Sequence, residues 1–303
     1  LTLDEAKWLL DWHLVRGNNL FFLHAAFYSL RGRRAYESEP DIAIHNLWWQ
    51  HFQRIGDYLR RVSWLLSDCE EVCDVAIFTD GNAAGWAAAK VLYQNQIDFL
   101  YIDGESLRQA VVVNGLLQIG KQQFRTVICD PPLPDLPEKL SHFAHSGGVV
   151  INEALVNPSL LVDAQDLRMA DAPDLRMIHV RKLGQDFYFL VNKGEAEIAG
   201  EFSLAACGAL ELWDPLAGTM QPQPASIRDE RLHSHLRLQR RQCVILAVDP
   251  TGAPQATLPV PPIPGKTLLE LSAPWHAFTA QGEAINLPCP GDWAQVAGWE
   301  TFA

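Results

Sequence analysis

The chain has 303 residues, of which 48% are hydrophobic and 20% charged, a composition typical of a globular protein with room for two or three domains. Lys plus Arg number 24 and Asp plus Glu 36, so the formal net charge of −12 argues against nucleic acid and anionic membranes as main partners, because both require a basic surface. No run of 18 apolar residues occurs, so the sequence predicts no membrane-spanning helix.

The first predicted segment, residues 1–67, reads as helix, strand, polar loop and helix. Thr2 is a candidate N-cap, with Asp4 and Glu5 in the first helical turn. The apolar run LFFLH at 20–24 predicts a strand, and apolar residues at helical spacing within WWQHFQRIGDYLRRVSWLLS predict a second amphipathic helix. The chain begins inside a predicted helix and stops inside a predicted strand. We therefore expect it to be a segment of a longer protein.

The second segment, residues 68–170, alternates predicted strands and helices. This alternation predicts an α/β domain with a parallel, doubly wound sheet. Ligands bind such sheets at the carboxyl ends of the strands. Five polar residues fall at predicted strand ends: Asp80, Asp103, Asp130, Asn152 and Glu153.

The remaining chain reads as all-β. Residues 171–250 alternate strands with Gly- and Asp-rich turns, which predicts an antiparallel β-sandwich. Residues 251–267 are rich in proline and predict an extended, semi-rigid linker. Residues 268–303 read as the start of a second β domain that the chain does not complete.

The six cysteines show no disulfide or metal-ligand spacing, and we expect them to be reduced core thiols: Cys69, Cys73, Cys129, Cys207, Cys243 and Cys289. Cys129 ends a predicted strand, where an amidotransferase would carry its nucleophile. Two prolines follow it closely, and they lack the N–H donors of an oxyanion hole. His142 and His145 lie on the next predicted helix, which is the wrong place to activate this thiol. We therefore expect residues 68–170 to be structural.

Residues 24–49 combine aromatic rings with polar hydrogen-bonding groups. This combination suits sugars, because the C–H face of a pyranose packs on an aromatic ring while its hydroxyls donate and accept hydrogen bonds. The alternative is a polar loop held by buried tryptophans, and residue spacing alone does not separate the two. The candidate sugar-binding residues are His24, Tyr28, Arg31, Asn46 and Trp48.

Glycoside hydrolysis normally needs two carboxyl groups that flank the scissile bond. Glu37, Glu39 and Asp41 are available, but they share one loop beside Pro40. Catalytic carboxylates are usually held on rigid strand ends. We expect these three to form ion pairs with a neighbouring arginine, Arg31, Arg33 or Arg34.

Four sequence blocks carry a resemblance to a known family, in chain order GNNLFFLHAAFYSLRGRRAYESEPD, HNLWWQHFQRIGDYLRRVSWLLSDCEEVCDVAIF, IHVRKLGQDFYFLVNKGE and ELWDPLAGTM. They resemble the C-terminal half of large bacterial glycoside hydrolases. The most similar are the α-L-rhamnosidase-like enzymes of glycoside hydrolase family 106 and related family-2-like enzymes.

The resemblance implies a domain layout. Residues 1–67 correspond to the last β/α unit of a TIM-type catalytic barrel, and 68–170 to a flavodoxin/amidotransferase-like accessory domain. Residues 171–250 correspond to an accessory β-sandwich, and 268–303 to the start of a galactose-binding-like β domain. Because most of the barrel is missing, we expect Phe21, Phe22 and Leu23 to be exposed.

The resemblance also implies a function. The chain is expected to be the C-terminal segment of a glycoside hydrolase acting on O-glycosidic bonds, with its catalytic acid and base carboxylates upstream. Polar groups at the carboxyl end of a barrel strand face the substrate. His24 and Tyr28 are therefore expected to contact sugar, followed by Arg31, Asn46 and Trp48. Alone, the segment is expected to be inactive.

The family's calcium dependence falls on no particular residue of this chain, and no other cofactor or metal is expected. A carbohydrate is the expected partner, and oligomeric state is not predicted. Bacterial cytoplasm and periplasm both stay open. The alternative function is a non-catalytic carbohydrate-binding or scaffolding module, and a free-standing amidotransferase-like protein is disfavoured by the surroundings of Cys129.

Overall fold

The computed structural model describes residues 2–24, 26–27, 29, 31–33, 42–79, 85–152, 156–256, 275–278 and 284–287. The chain divides into two compact units, Leu1–Leu258 and Pro259–Ala303. The helices of the first unit are α1 (Leu3–Leu14), α2 (Phe52–Leu66), α3 (Trp86–Gln94), α4 (Gly104–Gln109) and α5 (Glu138–His145), with short 3-10 helices at Trp49–His51 and Pro158–Ala164. The strands of the first unit are β1 (Glu70–Glu71), β2 (Val75–Phe78), β3 (Phe99–Ile102), β4 (Val111–Val113), β5 (Leu116–Ile119), β6 (Gln122–Phe124), β7 (Thr126–Cys129), β8 (Val149–Ile151), β9 (Leu167–Met169), β10 (Leu175–Lys182), β11 (Gln185–Asn192), β12 (Ile198–Leu204), β13 (Ala209–Asp214), β14 (Thr219–Pro222), β15 (Ser226–Arg228), β16 (Arg231–Leu238) and β17 (Cys243–Asp249).

Helix α1 begins with the predicted cap. The Thr2 hydroxyl accepts a 3.2 Å hydrogen bond from the backbone N–H of Glu5, and the Glu5 carboxylate accepts one of 2.8 Å from the backbone of Thr2. This reciprocal capping satisfies two N–H groups that lack helical partners. The apolar stripes of α1 and α2 share one core with a β-sheet, and each leucine buried there contributes about 1.5–3 kcal/mol.

The region after α2 contains a four-stranded parallel sheet in the order β3-β2-β7-β8. Ala88 and Leu92 of α3 pack on one face, and Leu140 and Phe143 of α5 pack on the other. The predicted parallel sheet with helices on both sides is therefore present. A three-stranded antiparallel meander, β4-β5-β6, is inserted between α4 and β7, which the alternation of strands and helices did not predict.

The third region is a pair of antiparallel sheets packed face to face. One sheet has six strands in the order β1-β10-β11-β17-β13-β14, and the other has four in the order β15-β16-β12-β9. Leu190 and Leu246 from the first sheet share a core with Phe202 and Leu236 from the second, so the predicted β-sandwich is present. The opposite face of the six-stranded sheet is the one that α1 and α2 cover.

The strand predicted at 20–24 does not form, since residues 18–23 adopt neither helix nor strand. A strand needs a neighbour to bond its N–H and C=O groups. This stretch runs instead past the end of α2, where the Asn19 side chain donates a 3.1 Å hydrogen bond to the Leu66 carbonyl. Phe22 is 89% exposed and Leu23 is also exposed, as expected, but Phe21 packs against the core of α1 and α2.

All five cysteines that the structure describes are free thiols. Cys73, Cys129 and Cys243 are buried, which matches the prediction of core thiols. Cys69 is partly buried. Cys207 is exposed, so the prediction is wrong there, and Cys289 lies outside the described residues.

In the second compact unit, β18 (Trp275–Phe278) pairs antiparallel with β19 (Ala284–Leu287), with Trp275 opposite Leu287. Across the described ranges of both units, no helix has the length and apolar character needed to cross a membrane.

Candidate functional site

The aromatic platform, defined by Trp48, Trp49 and Phe52, lies where the chain enters α2. The ring of Phe52 is stacked with that of Trp48 (centroids 6.2 Å apart, planes at 17°) and with that of Trp49 (5.1 Å, 24°). Trp49 remains 40% exposed. Stacked rings with an open edge or face offer a rigid apolar surface at low entropic cost.

Asn46 shapes the turn that presents the platform. Its side-chain Oδ1 accepts a 3.2 Å hydrogen bond from the backbone N–H of Trp48, and its carbonyl accepts one of 3.0 Å from Trp49. Its own N–H donates to the Ala43 carbonyl at 2.9 Å. The structure therefore brings Asn46 and Trp48 together, with Asn46 orienting the backbone beneath the rings.

The other predicted sugar-binding residues lie on the preceding segment. His24 is exposed, and its ring meets that of Phe27 edge-to-face at 6.3 Å. Arg31 is exposed, and its backbone N–H donates to the Ser29 hydroxyl at 3.3 Å. Tyr28 lies outside the described residues, so its assignment stays a prediction. The loop carboxylates and one of their predicted arginine partners also lie outside: Glu37, Glu39, Asp41 and Arg34.

Residue patterns did not reveal a buried polar cluster that consists of Lys7, Asp11, Tyr58 and Cys243. The Lys7 ammonium lies 2.6 Å from Oδ2 of Asp11 and donates a 2.9 Å hydrogen bond to the Arg241 carbonyl. The Tyr58 hydroxyl donates to Oδ1 of Asp11. Burial raises the pKa of Asp11 to about 6, although Lys7 and Tyr58 act to lower it. The cluster ties α1 to α2 and to the sheet below them.

A second buried titratable group, His179, lies at the end of the sandwich. Its Nδ1 is 2.9 Å from Oδ2 of Asp166 and its Nε2 is 3.0 Å from Oδ1 of Asp186, while its ring stacks on Tyr188. Burial lowers the pKa of His179, but the bonds and charges of the two carboxylates raise it by more, so its pKa lies above the ordinary value. Since His179 is almost fully buried, this arrangement stabilises the junction of strands.

The polar residues at the ends of the parallel strands are bonded to backbone. Asp103 accepts a 2.7 Å hydrogen bond from the backbone at the start of α4, and Asp130 accepts one of 2.8 Å at the start of α3. Asn152 bonds the backbone of Leu133 in both directions, at 2.7 and 2.8 Å. All three therefore cap helices or hold loops. Two further strand-end residues lie outside the described ranges: Asp80 and Glu153.

Cys129 is poorly suited to nucleophilic catalysis. It is buried, and burial raises the pKa of its thiol to about 11, so the thiolate is scarce at neutral pH. Of the two histidines on α5, His145 has its Nδ1 2.7 Å from the Ser141 carbonyl of its own helix. These observations oppose an amidotransferase-type reaction in this domain.

The part of the chain that the structure describes contains no candidate metal-binding site. No group of three or more His, Cys, Asp and Glu side chains there is arranged to hold a metal ion. The calcium expectation therefore stays a prediction without assigned residues.

Comparison with known proteins gives a likeness in fold. No family model matches the sequence, and no curated protein matches it. A rhamnosidase from Novosphingobium sp. PP1Y matches the structure with a TM-score of 0.69 and 18% identity, over 98% of this chain and 34% of that chain. The α-L-fucosidase isoenzyme 2 from Paenibacillus thiaminolyticus matches with a TM-score of 0.54 and 9% identity, over 81% of this chain and 57% of that chain.

The fold is therefore similar to the matched regions of this rhamnosidase and this fucosidase. At these identities the likeness concerns the fold alone. The chain spans about a third of the length of the rhamnosidase that it matches.

Proposed function

We propose that this chain is the C-terminal segment of a glycoside hydrolase acting on O-glycosidic bonds, with a specificity like that of the α-L-rhamnosidases. The observation that carries the proposal is the match of nearly the whole chain, 98%, to one third of a rhamnosidase. The order of the sequence blocks that resemble glycoside hydrolase family 106 supports the same assignment.

In this proposal, residues 1–67 end the catalytic barrel and contribute one wall of the sugar site. The aromatic platform supplies the apolar contact for a pyranose face, and the exposed side chains of His24 and Arg31 supply hydrogen bonds to hydroxyls. Tyr28 is assigned to the same wall. The catalytic acid and base are carboxylates upstream, because hydrolysis needs two carboxyl groups held rigidly across the bond.

The remaining regions act as accessory domains. The strand-end groups Asp103, Asp130 and Asn152 are occupied by backbone partners, and Cys129 stays protonated, which favours a structural role for 68–170. We assign this region to the amidotransferase-like accessory domain and 268–303 to the galactose-binding-like domain. Calcium dependence remains part of the proposal.

The test compares the 303-residue chain with a protein extended upstream along its reading frame. On 4-nitrophenyl α-L-rhamnopyranoside, we expect the extended protein to release nitrophenol and the 303-residue chain to release none. Activity of the 303 residues alone, or an extended protein inactive on a panel of nitrophenyl glycosides, would contradict the proposal.

A substitution tests the wall of the sugar site in the extended protein. We expect Trp48→Ala to raise KM about tenfold with a smaller change in kcat, because a stacking contact is lost in both the ground state and the transition state. Trp86→Ala is the matched control, since Trp86 is a 72% exposed tryptophan on α3, a helix that contributes no residue to the platform. An equal effect of the two substitutions would argue against a sugar contact at Trp48.

The second candidate, a non-catalytic carbohydrate-binding module, is favoured by the exposure of Trp49 and Leu47 at the platform. It predicts that the 303-residue chain binds sugar while neither protein hydrolyses any glycoside. The two assays together therefore separate the candidates.

A further inference from the structure

A groove lined by two tryptophans lies between α2 and the hairpin formed by β13 and β14. Its volume is about 400 Å³, within the range of small-molecule sites. We call it the α2–hairpin groove, and it is defined by Arg61, Trp64, Trp213, Asp214, Thr219 and Met220. Phe52 of the platform and Trp64 of the groove are twelve positions apart on α2, about 18 Å along the helix axis, so the groove is separate from the aromatic platform.

Two indole rings supply the apolar walls, and neighbours hold both of them. Trp64 is 50% exposed, and the ammonium of Lys182 lies 4.7 Å from its ring centroid while donating to its carbonyl at 2.8 Å. The indole N–H of Trp213 donates to Glu211 at 2.8 Å, and its ring meets Phe187 edge-to-face at 5.3 Å. The walls are therefore in place before any ligand arrives.

Polar groups at the mouth of the groove are also fixed. The guanidinium of Arg61 donates to the Pro215 carbonyl at 2.9 Å. Gly218 has a φ of +74°, which favours glycine, and a Cβ there would lie 2.6 Å from the Arg61 Nη2, so a larger residue would force the guanidinium to move. Oδ1 of Asp214 accepts hydrogen bonds of 2.8 and 2.9 Å from the two N–H groups of the turn.

These groups retain spare hydrogen-bonding capacity. A guanidinium has five N–H donors, and a carboxylate has about four acceptor positions. Thr219 adds a hydroxyl that both donates and accepts. A mainly apolar groove walled by two indoles, with Arg61, Asp214 and Thr219 as polar lining residues, matches a ligand with an apolar ring face and a few neutral hydroxyls.

We propose that the α2–hairpin groove binds a neutral pyranose unit, at a site separate from the aromatic platform. The proposal rests on the proposed function only for its class of ligand, a carbohydrate. A pyranose stacks on Trp64 or Trp213, and its hydroxyls bond Arg61, Asp214 and Thr219. The site holds a carbohydrate chain to the protein and takes no part in bond cleavage.

The test is ligand-observed saturation-transfer NMR on the 303-residue chain. The probes are methyl α-L-rhamnopyranoside, methyl α-L-fucopyranoside and methyl β-D-galactopyranoside. We expect at least one probe to bind with a dissociation constant of about 1 mM, typical of so small a ligand. Perturbation of the indole N–H signals of Trp64 and Trp213 places the bound sugar in the groove.

Variants assign the binding. We expect Trp64→Ala to weaken it by at least about tenfold, Trp64→Phe to weaken it less, and Trp86→Ala to leave it unchanged. We expect Trp48→Ala to leave the sugar-induced changes in the Trp64 and Trp213 indole signals unaltered, because the aromatic platform is separate from the α2–hairpin groove. Circular dichroism of each variant checks folding. Met220→Glu changes an exposed residue of the groove wall without altering an indole, and we expect it to weaken sugar binding as well.

Three results would overturn the proposal. The first is no saturation transfer to any probe, and the second is binding that survives Trp64→Ala and Met220→Glu. The third is loss of sugar binding at these indoles in the upstream-extended protein, which would show that polypeptide fills the groove. Because the readout is binding to the 303-residue chain, failure of the extended protein to hydrolyse glycosides leaves this test intact.

Discussion

The buried polar cluster of Lys7, Asp11, Tyr58 and Cys243 holds α1 against α2 and the sheet. We predict that Lys7→Met destabilises the protein by an amount that grows with pH. In the wild type, the Lys7 ammonium is 2.6 Å from Oδ2 of Asp11, and both side chains are buried. Methionine fills a similar volume but leaves the Asp11 carboxylate without a counter-charge, and the pKa of Asp11 rises further above its wild-type value of about 6.

The magnitude follows from this difference in pKa. Near pH 5 the Asp11 carboxyl is mostly protonated in both folded proteins, so the loss is limited to the Lys7 hydrogen bond to Arg241, about 1–2 kcal/mol. A folded-state pKa above the unfolded one means that stability falls as pH rises toward the folded pKa. Between about pH 6 and 8 the variant therefore loses up to about 1.4 kcal/mol per pH unit more than the wild type, which brings the total to about 3–5 kcal/mol.

Urea denaturation followed by circular dichroism, at about pH 5 and about pH 8, measures the loss of stability at low pH and its increase with pH. The double variant Lys7→Met/Asp11→Asn removes the titrating group, and we expect its stability to lose the extra pH dependence. Arg108→Met is the matched control, because Arg108 and Glu105 form a helical ion pair in which both side chains are largely exposed, so its loss should change stability little. A Lys7→Met loss that is equal at both pH values, or no larger than that of the control, would refute this reasoning.

Three further predictions concern stability. His179→Gln is expected to cost more near pH 5.5 than near pH 9, because a raised folded pKa contributes stability below the unfolded pKa that is lost as pH rises through the folded one; equal losses would contradict this. Burial raises the pKa of Glu71 to about 7, so the contribution of Glu71 to wild-type stability declines from about pH 4.5 to 7. Glu71→Gln is therefore expected to be about 1–3 kcal/mol more stable than the wild type near pH 8. Parallel profiles of stability against pH for the two proteins would argue against this. Gly56→Ala, in open space on α2, is expected to raise the melting temperature with a gain of about 0.5–1 kcal/mol, whereas in Gly148→Ala the new methyl overlaps the Phe143 ring and lowers it; the reverse order would show that the backbone relaxes at Gly148.

Local sequence patterns predicted many of the elements. The Thr2 cap and the apolar spacing of α1 and α2 are set by residues within a few positions of one another, and both helices form. The parallel strands of 68–170 and the strands of 171–250 follow in the same way. The β4–β5 hairpin was missed although the sequence carries its signal, the dipeptide Asn114-Gly115. In the structure both residues have the positive φ of a two-residue hairpin turn.

The candidate site was only partly predictable. Asn46 and Trp48 meet in one turn because they are two residues apart, and their contact depends on local geometry. The platform partner Phe52 and the packing of Phe21 against the core of α1 and α2 depend on which elements lie nearby. Residues 20–24 have the period of a strand, but a period cannot supply the neighbouring strand that would bond the backbone.

The sequence by itself determined the class of each segment, because helical and strand periods arise from contacts along a few residues of chain. Tertiary structure alone decided which side chains meet from distant elements. Asp130 caps α3 across the sheet, and Lys7 and Asp11 become buried only under α2. Trp64 and Trp213 line one groove only because α2 lies beside the β13–β14 hairpin. The packing of whole helices and strands decides these contacts. It also decides which groups are buried, and therefore which pKa values shift, and where a groove forms.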